Sequence, residues 1–418
     1  MERQAVVLKR SINWAQGVAL TIGAVLGSGV LVLPVLAAQL AGPASLVSWA
    51  LMGLLAIPLV ATIGNLASHW PEAGGIAAYA RRAFGHRAGT ATGWLFLGTI
   101  PIGGPIMALV GASYLGAYLS FTPLDILFTA ALMLALAILF NYLGINLSGR
   151  VQMVVVGIIA LILLVIILSA LPNVSGQAFI PFAPHGWIPV GVAMTVLFWA
   201  FVGWEMVVHL AEEFQDPGRD IKLSLGISLI VINLLYLLLA FVIVGTRSYL
   251  EGNKIAVLAT MIFRIWGRPA GAVVAALGFI VCYGSLHTYV AGFSRLVYAQ
   301  ARQGDFPSFF SRLHTVYQTP HRVLLSLAPV FALVLCLDFF CHLDLTVLIQ
   351  FTSAIFIALY IVCMAAAVRL LRGFGRGRLY AVISLVVCLG VYLFTGWAGL
   401  YPVLLGTVGW IVGTRQQA

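Results

Sequence analysis

VLGSGVLVLP, residues 25–34, sets Gly27, Ser28 and Gly29, then Pro34, in the middle of the first long apolar stretch of the chain. A helix crossing lipid does better with Leu or Ala at such a centre, because each interior Gly costs about 1 kcal/mol relative to Ala. Taken alone, the stretch has two readings. It is a small-residue surface on which another helix packs closely, or it is an interruption that frees backbone groups for another use. The rest of the chain decides between them.

Of the 418 residues, 62% are hydrophobic and 8% charged, whereas soluble globular proteins carry about a quarter charged residues. So few charges do not cover a water-facing surface, and the chain reads as an integral membrane protein with the lipid bilayer as its partner. Apolar runs suited to spanning helices of roughly 20 residues occupy 12–41, 44–66, 93–119, 124–141, 151–171, 188–210, 223–245, 270–300, 323–340, 345–368, 379–394 and 397–413. These twelve runs are too continuous for the alternating strands of a barrel. Residues 1–11 are basic and lack a cleavage-site pattern, so no removable signal peptide is expected.

The net charge of +10 does not indicate a nucleic-acid partner. With the N-terminus inside, 18 of the 22 Lys and Arg fall on the cytoplasmic side. Arg247, Lys254, Arg264 and Arg268 share one outer loop at 246–269. That asymmetry is the positive-inside rule and places both termini in the cytoplasm of a cell whose cytoplasmic (inner) membrane holds the protein. The five cysteines lie in or beside apolar runs without metal-ligand spacing, and they read as packing residues.

No linker divides the chain, so 1–418 reads as one membrane domain. A weak internal echo runs through it. Gly203 and Glu205 interrupt the sixth run 175 positions after Ser28 (203 minus 28). Five runs from each interruption give two repeats, about 12–171 and 188–368, followed by two extra helices at about 379–413. An odd number of spans inverts the second repeat, so the two interrupted helices meet near the midplane.

Of the twelve acids, Glu205 alone lies well inside a run. An ionised acid at a helix centre costs about 2.5–3.5 kcal/mol, so its default reading is functional, in substrate coupling or proton handling. The structural alternative is an acid that braces an unwound helix by hydrogen bonds, and both roles can coexist. His209, four residues on, and His287 in the eighth run are candidate proton-handling partners; each also reads as a packed core histidine. His209-Leu-Ala-Glu212-Glu213 lacks the order of a zinc-peptidase motif. No metal, cofactor or catalytic cluster is expected, and the chain does not read as an enzyme. Phe198, Trp199, Phe201 and Trp204 crowd the same interruption, where Trp199 is the best placed to stack on a ligand or occlude it.

The motifs resemble those of the amino acid–polyamine–organocation transporter superfamily. GSGVLVLP, PEAGGIAAYARRAFG, FWAFVGWE with EEFQDPGRDI, and FSRLVYAQARQGDFP with a following TP occur in order over most of the chain. GWLFLGTIPIGGP, LFWAFVGWEMVVHLAEEF and GFSRLVYAQA are similar to stretches of bacterial exporters of methionine and branched-chain amino acids within that superfamily. The resemblance implies a LeuT-type fold of about twelve helices, discontinuous in spans one and six, that moves amino acids by alternating access. It implies a carboxylate-binding break at Gly27, Ser28 and Gly29, an aromatic gate at Trp199, and Glu205 as the acid of the unwound segment. One departure stands out: some proton-coupled relatives carry a Lys in the fifth span, and 151–171 holds neither Lys nor Arg, which leaves Glu205, or an uncoupled or differently coupled cycle, in place of lysine-based coupling.

The residues support a matching physical account. A half-helix starting near Val30 leaves its first N–H groups without intrahelical partners, a positive end suited to a carboxylate. Carbonyls near Phe198 to Phe201 are suited to an ammonium. Glycine at the first break would let the ligand approach the backbone closely; Ile22, Val25, Ile100, Ile102, Phe201 and Phe356 would form an apolar lining, and Gly203 is expected among the substrate-binding residues of the second break. The expected substrates are neutral and apolar: methionine, leucine, isoleucine and valine. Export by proton antiport, with Glu205 as carrier, is the leading expectation; a proton-coupled importer of the same fold is the alternative. The transporter is expected to be a monomer or a homodimer.

Overall fold

The computed structural model describes residues 12–71, 75–144, 149–205, 211, 214–250 and 255–415. Apart from short connections and one isolated bridge between Ile12 and Phe214, these residues form helices. The first span is two helices, α1 (Trp14–Leu26) and α2 (Gly29–Ala41), separated at Gly27 and Ser28. A capping box starts α1: Asn13 Oδ1 accepts from Gln16 N at 2.9 Å, and Gln16 Oε1 accepts from Asn13 N at 3.0 Å, which satisfies two N–H groups that the first turn would otherwise leave open. After α3 (Ser45–His69) comes α4 (Gly75–Phe84), a short amphipathic helix that buries Ile76, Tyr79, Ala80 and Ala83 on one face. The apolar runs did not show α4, because its polar face carries Arg81 and Arg82 and interrupts any continuous run.

The third span also differs from expectation. It begins at His86, not 93, as α5 (His86–Leu97), and continues through Gly98 as α6 (Thr99–Leu119). Then follow α7 (Pro123–Tyr142), opened by a Thr122–Asp125 capping box, and α8 (Gly149–Ala170). The sixth span starts as α9 (Ile188–Leu197), tightens into a 3₁₀ turn at Phe198–Phe201, and then leaves helical geometry. Next are α10 (Pro217–Gly245), α11 (Val257–Trp266), α12 (Arg268–Gln303), α13 (His321–Cys341), α14 (Leu345–Leu370), α15 (Gly375–Tyr392) and α16 (Leu400–Arg415). The outer loop expected at 246–269 therefore contains a helix, α11, of which Val257, Leu258, Ala259, Met261 and Ile262 are buried.

Among the described residues, nine stretches are long and apolar enough to cross a membrane. Two of them join helices that the sequence separates, α2 with α3 and α15 with α16, while α1, α9 and α11 are shorter apolar helices. Burial separates an inner set from an outer one. The apolar window of α5–α6 is 78% buried, whereas those of α7, α13 and α15–α16 are each 28% buried and leave the rest of their surface for lipid. At the centre, α2 packs on α9, α10 packs on α3 and α1, and α6 packs on α12, α7 and α14. The bridge is reinforced by Gln215 N, which donates to Ile12 O at 2.9 Å. The segment that enters the first span is thereby tied to the segment that leaves the sixth.

Candidate functional site

The first break is built by Gly27, whose backbone (φ 5°, ψ −152°) no helix accommodates. Ser28 follows as the N-cap of α2, without a side-chain cap bond. The new half-helix starts at Gly29, one residue before the expected Val30. The second break follows the 3₁₀ turn at Phe198–Phe201. Val202 is extended, and Gly203 takes φ +120°, a conformation open to glycine and strained for any L side chain.

These two breaks touch. A Cβ on Gly203 would stand 2.9 Å from the carbonyl carbon and oxygen of Ala24, and one on Gly29 would stand 3.2 Å from Ala200 Cα. Side chains then stitch the breaks together. Trp199 Nε1 donates to Ser28 Oγ at 3.3 Å. The Tyr236 hydroxyl of α10 lies 3.0 Å from both Val25 O and Ala200 O, one carbonyl from each span. A single phenolic proton serves both, and the ring packs against Trp49 (5.0 Å) and Phe201 (5.6 Å). On the far side of the first break, the Tyr114 hydroxyl donates to Leu31 O at 2.8 Å.

Glu205 is 2% exposed. Its Oε2 accepts from Gly203 N at 2.9 Å and from the Tyr360 hydroxyl of α14 at 2.6 Å. The acid thus holds the glycine of its own break and anchors it to a neighbouring helix, whose Tyr360 ring also meets Phe198 edge-on at 5.5 Å. His287 sits elsewhere, against α7: Asn141 Nδ2 is 3.1 Å from His287 Nδ1 and donates to His287 O at 3.1 Å, while Tyr283 stacks at 6.3 Å. His209 lies outside the described residues.

Where the breaks meet, a cavity opens. Its wall consists of Ala24, Val25, Gly27, Ser28 and Gly29 from the first span, Trp199 and Val202 from the sixth, and Thr99, Ile100, Met107, Tyr289 and Phe356 from α6, α12 and α14. The cavity measures ≈ 20 Å³, room for one or two waters at about 10–15 Å³ each. No side chain in this wall carries a charge. Trp199 closes one side, its ring edge-on to Phe356 at 6.2 Å.

Several sequence expectations meet here and others do not. Val25, Gly27, Ser28, Gly29, Ile100, Trp199 and Phe356 stand together on the wall. Ile22, Val30, Ile102, Phe198, Phe201 and Gly203 do not line it; Phe201 is turned to Trp49 and Tyr236, and Gly203 is pressed on Ala24. Of the carbonyls expected for an ammonium, that of Ala200 already accepts from Tyr236. Ala24, Thr99, Met107, Val202 and Tyr289 went unforeseen, as did the bracing tyrosines 114, 236 and 360. Those three carried a usable signal: a phenol inside an apolar span needs a hydrogen-bond partner, and irregular backbone is the nearest supply.

A family model described as amino acid permease matches residues 12–411. The uncharacterized amino acid permease YecA of Bacillus subtilis (strain 168) is 44% identical over 96% of this chain and 95% of its own length. The L-methionine/branched-chain amino acid exporter YjeH of Escherichia coli (strain K12) is 31% identical over 98% of this chain and 97% of its own. The glutamate/serine transporter AimA of Bacillus subtilis (strain 168) is 28% identical over 72% of this chain and 61% of its own.

Proposed function

The chain belongs to the amino acid permease family, within the amino acid–polyamine–organocation superfamily, and we propose that it exports neutral, apolar L-amino acids, namely methionine, leucine, isoleucine and valine. It is a multi-pass membrane protein of all-helical, LeuT-type architecture. In this reading it works by alternating access in the cytoplasmic membrane with both termini inside, as one domain of two inverted repeats and two further helices.

One observation carries the substrate class: the wall shared by the two breaks holds no charged side chain. The zwitterionic head is then recognised by backbone. The first N–H groups of α2 face the carboxylate, and carbonyls at the end of the 3₁₀ turn face the ammonium, apart from the Ala200 carbonyl that Tyr236 engages. Val25, Ile100, Met107 and Phe356 leave an apolar surround for the side chain. An arginine or glutamate side chain would lose its hydration there without gaining a partner. The full-length relative named as a methionine/branched-chain exporter supports the same substrates and the outward direction.

Proton antiport is the drive we propose, with Glu205 as the carrier. It is the acid buried at the break, and protonation there would weaken its hold on Gly203 N. Purified protein in liposomes preloaded with an amino-acid panel, acidic outside, tests the reading. Leucine, methionine, isoleucine and valine should leave fastest, and a neutral-pH control without a gradient should slow them. Faster loss of arginine or glutamate than of leucine refutes the substrate class, and accumulation in place of loss makes the protein an importer.

A further inference from the structure

The end of α14, the link after it and the start of α15, RLLRGFGRGR at residues 369–378, hold four arginines and no acid, and transport leaves them without a role. Their backbone is fixed. Leu371 N donates to Ala367 O at 2.8 Å, Phe374 N to Leu371 O at 3.0 Å, and Gly377 N to Phe374 O at 2.7 Å. Leu371 and Gly377 are buried, while Arg369, Arg372, Arg376 and Arg378 are exposed. The arginines are therefore displayed from a rigid frame.

Aromatic rings extend the frame to two other helix ends. Phe374 meets His69 edge-on at 4.3 Å and Trp70 at 6.5 Å, both at the end of α3. Trp70 in turn receives the Arg82 guanidinium of α4 at 5.7 Å, and Phe84 receives that of Arg369 at 5.8 Å. Arg82 and Arg369 thus stack on rings of the same cluster as Phe374, and the exposed Arg372, Arg376 and Arg378 lie within four residues of Phe374 along the chain. Residues 69–71, 75–84 and 369–378 contain no Asp or Glu; Glu72 lies outside the described residues. Arg81, by contrast, is paired with the buried Asp305 at 2.9 Å and does not join the face.

We propose that this basic, aromatic face binds the headgroups of anionic phospholipids. Its position selects a lipid over a free anion. The face is formed where three apolar helices, α3, α14 and α15, reach the edge of their apolar length; Phe84 and Phe374 are 42% and 43% exposed there, and beside them stands Trp70, the residue type enriched at a membrane–water boundary. Basic clusters between spanning helices are the chemistry that holds a phosphodiester at that depth. The guanidinium groups can grip it bidentately, and stacking on rings limits the freedom they would lose.

The experiment uses full-length protein in neutral detergent, titrated with dioctanoylphosphatidylglycerol, dioctanoylphosphatidylcholine and glycerol phosphate, with bound lipid read by native mass spectrometry. The wild type should prefer the glycerol lipid to the choline lipid by about tenfold or more, and that preference should shrink in high salt as screening shortens to about 3 Å at 1 M. Arg372→Gln with Arg376→Gln and Arg378→Gln should bring the preference within about twofold. Arg87→Gln with Arg302→Gln and Arg312→Gln removes the same charge elsewhere and should leave it intact. Should the first triple fail to fold, each single substitution must lower the preference by part of the total. Equal loss in both triples, no preference in the wild type, or glycerol phosphate binding as tightly as the lipid would each overturn the proposal.

Discussion

Gly203→Ala probes the contact between the two breaks most directly. The native residue sits at φ +120°, and an added Cβ would lie 2.9 Å from two backbone atoms of Ala24 and 3.0 Å from Val25 Cγ2. The strained backbone costs a non-glycine residue about 1–3 kcal/mol. Forcing a methyl against backbone, which cannot swing aside, costs about 1–3 kcal/mol more. Even about 2 kcal/mol falling on the arrangement in which the breaks touch lowers its population roughly thirtyfold, at tenfold per 1.4 kcal/mol. Counterflow of labelled leucine in liposomes should fall at least about tenfold, and the purified variant should unfold at a lower temperature. Gly284→Ala is the control. It lies in α12, where an added Cβ meets nothing within 4 Å, so the change should be neutral or stabilise by up to about 1 kcal/mol. Leucine counterflow within threefold of wild type in Gly203→Ala, or an equal loss in Gly284→Ala, would refute the reasoning.

Two further substitutions follow from buried acids. Glu205→Gln keeps an oxygen that can accept from Gly203 N and Tyr360, so a weaker, neutral brace and substrate exchange should persist while efflux driven by a pH gradient disappears; gradient-driven efflux at the wild-type rate removes Glu205 as the carrier. Asp305, fully buried, joins α4 and α5 to the end of α12, with Arg81 Nη2 at 2.9 Å, His86 Nε2 at 3.3 Å and the Thr90 hydroxyl at 3.0 Å. Because Arg81 is 36% exposed, solvent screens the pair, and Asp305→Asn should cost about 1–3 kcal/mol rather than the full penalty of a broken buried bridge. An unchanged unfolding temperature in detergent would show that the cluster does not clamp the helices.

The sequence was most readable where chemistry is rare. Two glycines flanking a serine, and one acid inside an apolar run, are exceptions in lipid-facing sequence, so both interruptions and Glu205 could be located without coordinates. Most of the wall residues that could be read belong to those interruptions, Ile100 and Phe356 being the two outside them. Thr99, Met107 and Tyr289 look like any apolar or half-polar residue of a spanning helix, and which face of α6 or α12 turns inward depends on packing that a nearly uniform apolar run does not record. For the same reason Phe201, an expected lining residue, is turned to Trp49 and Tyr236, and Ile22 does not line the cavity. The amphipathic α4 escaped because its signal is a periodic face rather than a long run.

The small size of the cavity bears on how a substrate would be held. At ≈ 20 Å³ it has room for one or two waters but not for a leucine side chain, so some part of the wall must give way for the proposed substrate. The backbone at the breaks is the part least free to move. Tyr236 holds both carbonyls, Glu205 and Tyr360 hold Gly203, and the bridge at Ile12 and Phe214 ties the ends. Trp199 is held differently: its polar link is one neutral hydrogen bond of 3.3 Å to Ser28, and its edge meets Phe356 at 6.2 Å. A neutral bond of that kind contributes about 0.5–1.5 kcal/mol, less than the burial of an apolar side chain returns at about 1.5–3 kcal/mol. Trp199 is also 7% exposed and packs toward Gly29 and Gly103, so under the proposed function a substrate side chain that moves the ring has to replace that buried surface as well. The proposed function then divides the labour: the braced breaks would recognise the head shared by all amino acids, and the Trp199 ring, whose one polar link is neutral, would be the part that adapts to the side chain.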